Sequence, residues 1–149
     1  MRRRVTVVTA GHLSTCPRML KAADALVDAG YDVRVVSTTT GGWMSRADTE
    51  LRRRARWRST VVDYGRPSAL PTWLWSGVRF KALSHVARST GGRVLPRAAF
   101  GRVHAELVRA IEEEPVDFLY GGTSGAIAAT AEAGRRLRVP FAVDFEDFH

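Results

Sequence analysis

Cysteine is all but missing from this chain. Cys16 stands alone in 149 residues, so no disulfide can close within it. That usage suits a reducing compartment. Lysine is nearly absent too: Lys21 and Lys81 are the only two, and the net charge of +8 is carried by arginine. No apolar run approaches the ~18 residues of a membrane-spanning helix. The opening "MRRRVTVVTAG" looks like the start of a signal peptide, but its apolar part is short, is broken by threonine and has no cleavage site. It is expected to be a first strand. A dinucleotide fingerprint is also missing, because the first strand ends "AGHLST" and the second ends "VVSTTT" with no acid. A phosphate-binding G-x-x-x-x-G-K-[ST] loop is absent as well. Helix-turn-helix, RNA-recognition and zinc signatures are absent, so no nucleic acid partner is expected. There is no internal repeat and no low-complexity tract.

What is present is ordinary globular composition, 45% hydrophobic and 26% charged. The length fits one domain with a real core. Val5 to Thr9 is short and β-branched and reads as a buried strand. Pro17 can open a helix, and Met19, Leu20, Ala23, Leu26 and Val27 then share one face, with Gly30 as the stop. Tyr31 to Ser37 is a second strand, which completes a right-handed βαβ unit. Residues 38–58 read as turn residues followed by a basic run. Ser59 to Gly65 is a third strand. A helix is expected after Pro71, with Trp75, Val78, Ala82 and Val86 on one stripe. A longer helix is expected from Leu95 to Glu113, a fourth strand in "VDFLYGG", a helix from Thr123 to Arg138, and a fifth strand from Val139 to His149. The alternation predicts an α/β fold: a three-layer, Rossmann-like open parallel sheet of order 3-2-1-4-5 with helices on both faces.

In such a sheet ligands bind beyond the carboxyl ends of the strands, where the winding reverses. The loops after strands 1, 4 and 5 should therefore line one crevice. They bring Gly11 and His12, then Gly121, Gly122, Thr123 and Ser124, then Glu146, Asp147 and His149. Gly11 permits close approach of backbone to ligand. His12 can exchange a proton or bond a sugar hydroxyl, or simply cap the sheet edge against a neighbouring loop. Arg18 sits in the first turn of a helix, against the dipole, and so should face something negative: an acid such as Glu146 or Asp147, or a bound anion. "GGTSG" offers helix-start N–H groups to an anion, or is a tight turn capped by Ser or Thr. Cys16 lacks a partnering histidine or second cysteine nearby in sequence and is expected to be a packed or capping thiol. The acidic segment "DFEDFH" has no second acidic cluster beside it, so no metal is expected. General base or hydrogen-bonding duty for Glu146 and His149 suits it better. His85 and His104 lie in helical segments at no ligand spacing and are read as structural or solvated.

Arg52, Arg53, Arg54, Arg56 and Arg58, with Trp57, Trp73 and Trp75, make a basic-aromatic region. It is either a solvated basic face beside core tryptophans or a surface for anionic membrane.

Two segments resemble a known family. "STCPRMLKAADALVDAGYDVRVV" is similar to the first βαβ unit of family 4 glycosyltransferases of the GT-B class, and "VDFLYGGTSGAIAATAEAGRRLRVPFAVDFEDFH" to the fourth and fifth strands of their N-terminal domain. The resemblance covers residues 4–37 and 116–149, and the middle only by layout. It implies two facing Rossmann-like domains. Residues 1–149 would be the N-terminal, acceptor-side one, truncated before the domain that holds a UDP- or GDP-sugar donor. It implies transfer to a glycan or lipid-linked acceptor, no bound cofactor or essential metal, and little activity for the isolated half; with the basic-aromatic middle, the expected location is cytoplasmic with peripheral contact at the inner membrane face. His12 and Gly11 would line the cleft, and Arg18 matches the family's helix-opening arginine. Many members read D-x-H-[ED] after the fifth strand. Here Glu146 replaces that histidine, and His149 follows three residues later. The rival class is a non-catalytic α/β module that binds an anionic ligand or partner. A response-regulator-like domain lacks its phosphoacceptor aspartate at strands 1 and 4.

Overall fold

The computed structural model describes residues 2–93, 99 and 101–145. Five strands, β1 (Arg4–Thr9), β2 (Asp32–Thr39), β3 (Arg58–Asp63), β4 (Phe118–Gly122) and β5 (Phe141–Asp144), form one parallel sheet in the order β3-β2-β1-β4-β5. The predicted α/β class and strand order are those of the structure. The helices are α1 (Pro17–Asp28), α2 (Trp43–Arg54), α3 (Leu70–Ser89), α4 (His104–Glu112) and α5 (Ser124–Leu137), with a 3₁₀ turn at Leu13–Thr15.

Alternation along the central strands sorts the core into two halves. Val7, Val33 and Val35 face α1 and α2 and pack on Leu13, Met19, Ala23 and Trp57. Val8 and Val36 face the other way, onto Leu107 and Ile111 of α4 and Ala126 and Ala129 of α5. β1 and β2 are covered on both sides, which is why they read as continuous β-branched runs. Both halves exclude water almost fully, and this burial supplies the main driving force of the fold.

Three elements differ from their predicted form. Residues 43–54, expected as turns and a basic run, are helix α2. Glu50 accepts hydrogen bonds from Arg53 and Arg54 at i+3 and i+4, and these pairings support the helix where apolar periodicity gives no sign of one. The helix expected from Leu95 starts only at His104, with Val103 as its N-cap; residues 94–98 and 100 lie outside the described residues. β5 is shorter than expected and runs from Phe141 to Asp144, and Glu146, Asp147 and His149 lie outside the described residues.

Candidate functional site

The loops after β1 and β4 are stitched together. The Ala10 N–H donates to Thr123 Oγ1 at 3.0 Å. Thr123 sits at φ 71°, a left-handed conformation that a β-branched residue adopts only under strain. The end of β5 joins them through α1. Arg18 Nη1 donates to both carboxylate oxygens of Asp144 at 3.2 Å, which answers the unfavourable placement of a cation at a helix start. Among the described residues the acid that meets it is Asp144, at the carboxyl end of β5 beside Gly122 in register; Glu146 and Asp147, the acids expected there, lie outside the described residues. Burial, then the charge and hydrogen bonding of Asp144, push the Tyr120 phenol above its ordinary value. Arg18, Tyr120, Thr123 and Asp144 thus converge where the winding of the sheet reverses. Cys16, Arg18, Met19, Thr123 and Asp144 line a narrow cleft there.

His12 takes a different direction. Its ring is buried, with Nδ1 2.9 Å from Asp48 Oδ2 and Nε2 3.2 Å from Thr40 Oγ1. Asp48, in α2, also accepts the Ser14 N–H at 2.8 Å and is only 1% exposed. The carboxylate of Asp48 takes its hydrogen bond from Nδ1–H, and the Thr40 backbone N–H, 3.5 Å from Nε2, points at the other ring nitrogen as a donor. His12 therefore bonds both α2, through Asp48, and the loop after β2, through Thr40.

The glycines divide by duty. A Cβ on Gly122 would come within 2.5 Å of Met19 Cε, and one on Gly121 would meet Thr130 Cβ at 2.8 Å. Both lie buried in β4 and let α1 and α5 approach the sheet. Gly11 is looser: a Cβ there would sit in ordinary contact, 3.5 Å from Cys16 Sγ. Ser124 is exposed at the start of α5, and no side chain caps that helix. Cys16 is a packed thiol, 3.1 Å from Thr9 Oγ1. His104 is buried against Glu132, 3.0 Å away.

Asp48, Thr40 and Tyr120 carry no motif, and their roles were not anticipated. The one sign of Asp48 in the sequence is its spacing from Leu51, which puts an acid on the inward face of a helix that is otherwise basic.

A wider hollow of about 800 Å³ lies at the other edge of the sheet, between Arg2, Arg3, Arg4, Tyr31, Asp32, Arg56 and Asp117. Its charges are largely paired already, Arg4 with Asp117 and Arg56 with Asp28. The switch-point cleft is the better candidate, because strain and convergent polar groups coincide there.

No family model matches the chain, and no curated protein matches it. Solved structures do. The C-terminal domain of a Pyrococcus furiosus hydrogenase superposes with a TM-score of 0.55 at 15% identity, over 96% of this chain and 91% of that one. A protein described as a predicted subunit of tRNA methyltransferase from Methanocaldococcus jannaschii gives 0.49 at 13% identity, over 99% and 70%. The hydrogenase likeness shows the Rossmann-like fold and nothing of chemistry. Among the described residues no helix is long and apolar enough to cross a membrane.

Proposed function

We propose that the chain is the acceptor-side domain of a GT-B-class glycosyltransferase. It holds a glycan or lipid-linked acceptor beyond the carboxyl ends of β1, β4 and β5, and a donor domain presents a UDP- or GDP-sugar across the cleft. On this reading it works in the cytoplasm, in peripheral contact with the inner membrane face. The observation that carries the proposal is the convergence of Arg18, Tyr120 and Asp144 beside the strained Thr123. Guanidinium donors and carboxylate acceptors side by side complement the paired donor and acceptor character of sugar hydroxyls. The resemblance of residues 4–37 and 116–149 to family 4 transferases points the same way.

In this mechanism Asp48 positions His12 by keeping the proton on Nδ1. Nε2 then exchanges Thr40 for an acceptor hydroxyl and takes its proton as the hydroxyl oxygen bonds the anomeric carbon and the donor's sugar–phosphate bond breaks, releasing the nucleoside diphosphate. A second reading, a non-catalytic module that binds an anionic ligand, is favoured by one observation: both ring nitrogens of His12 already have protein partners.

The test is nucleoside diphosphate release by the full polypeptide, given UDP- and GDP-sugars with water-soluble glycan acceptors. Arg18→Met and Asp144→Asn should each lower it about tenfold or more, as loss of a positioning contact does. Stability should hardly change, because the Arg18 side chain is 52% exposed and such pairs contribute about 1 kcal/mol or less. Acceptor binding without any release would establish the second reading instead.

A further inference from the structure

Helix α3 spans 20 residues, and the only buried one is Ser76. Neither half of the core includes an α3 side chain. The helix is held at one side, where Arg102 donates to Trp73 O and Ser76 Oγ and Arg79 pairs with Glu106. The opposite side is apolar and open: Leu70 is 48% exposed, Leu74 50%, Trp75 67%, Val78 60% and Val86 40%. Leu70, Leu74 and Val78 recur every four residues, Trp75 lies three before Val78 and Val86 lies eight beyond it, so all five share one side of the helix. The stripe noted in the sequence exists, but it faces outward. Exposed apolar side chains gathered on one side of a helix mark an interaction surface, and among the described residues nothing covers this one.

Charge identifies the occupant. Between Asp63 and Glu106 the sequence contains no acid at all, while Arg66, Lys81, Arg88 and Arg93 are exposed there. The arginine run before β3 is different. Arg53 and Arg54 bond Glu50, Arg56 bonds Asp28, and Arg58 bonds Asp32 and Glu114. Its charge is largely answered inside the chain. The α3 face sets cations that no acid nearby in sequence answers beside exposed apolar side chains, a combination that suits a surface on anionic lipid. It also lies next to the functional edge of the sheet, since Gly65, just before α3, packs on Thr40 at the end of β2.

We propose that the outer face of α3 is a docking surface for an anionic bilayer, with Leu74, Trp75 and Val78 entering the headgroup boundary and Lys81 and Arg88 meeting lipid phosphates. The proposal deepens the peripheral-membrane part of the functional reading and rests on it only there.

The test is co-sedimentation of the whole chain with vesicles of phosphatidylcholine alone or mixed with phosphatidylglycerol. Wild type should partition to the mixed vesicles and only weakly to the neutral ones. Trp75→Glu and Val78→Glu should each lower that partition about tenfold, because a charge must then enter the apolar boundary. Both sites point to solvent, so circular dichroism should be unchanged; Leu74→Gln is the milder control. Replacing Arg53, Arg54 and Arg56 together by Gln should leave binding within about twofold, since those charges are already paired. Equal partition to both vesicle types, or loss through the α2 arginines and not through α3, would overturn the proposal. Because nucleoside diphosphate release is read with a water-soluble acceptor and no lipid, failure here leaves the transferase reading standing, and the converse holds too.

Discussion

His12 Nδ1 and Asp48 Oδ2 lie 2.9 Å apart, both nearly out of reach of water, and they tie the loop after β1 to helix α2. Burial alone would push the Asp48 carboxyl upward. The Ser14 N–H and the His12 ring outweigh it and hold the carboxyl below the ordinary aspartate value of 3.8.

The first prediction follows from that balance. Between the lowered folded value and 3.8 the unfolded chain binds a proton that the folded chain does not, so stability rises with pH in that window. The contribution is complete above the ordinary value and is lost as pH falls through the folded one. Asp48→Asn should cost about 3 kcal/mol at neutral pH, typical of a broken buried pair. It should also flatten the acid limb of a urea-unfolding series. Parallel acid limbs for wild type and variant would refute the assignment. His12→Ala should destabilise too, and the coupling in a double-mutant cycle with Asp48→Ala should be about 1 kcal/mol or more.

Arg34 supplies the second prediction. It sits in β2 with its side chain 3% exposed, and it donates to the Ala110 and Ile111 carbonyls in the last turn of α4. Burial pulls its guanidinium below the ordinary arginine value, and Glu114 works against that. Arg34→Met keeps the length of the side chain and removes the donors, leaving buried carbonyls unmatched. The expected loss is about 2–3 kcal/mol in denaturant unfolding. A change under about half a kcal/mol would mean that water satisfies those carbonyls.

A third comparison separates glycines that look alike in sequence. Gly121→Ala drives a methyl into Thr130, on the face that packs against α5, and should cost about 1–3 kcal/mol as overpacking does. Gly11→Ala meets only an ordinary contact and should leave the melting temperature nearly unchanged. Equal penalties would show that Gly11 needs its backbone freedom and not merely its small size.

The sheet was legible because its central strands are buried on both faces and so read as β-branched runs of the right length. Helix α2 was not, because its inward face mixes Leu51 with Asp48 and its outward face carries arginines, so its apolar stripe is short and interrupted. The apolar periodicity of α3 was plain, but periodicity shows that a helix has an apolar face and says nothing of what covers it. The dipole argument at Arg18 correctly demanded an anion. The identity of that anion depended on a contact 126 residues away in sequence, which no local pattern encodes.

Arg102 has a consequence for how the molecule breathes. Its guanidinium donates to Trp73 O and Ser76 Oγ and lies 5.1 Å over the Trp73 ring and 5.8 Å over Tyr64. A single planar group thus clasps α3 to the start of α4 and the exit of β3. Segments held by few buried contacts open on their own, at free energies well below that of global unfolding. The amide protons of α3 should therefore exchange with solvent in a burst of their own, long before those of β1 and β2, and Arg102→Gln should hasten that burst without touching the slow protons of the sheet. On that expectation the helix would open like a hinged flap while the sheet beneath it stays closed.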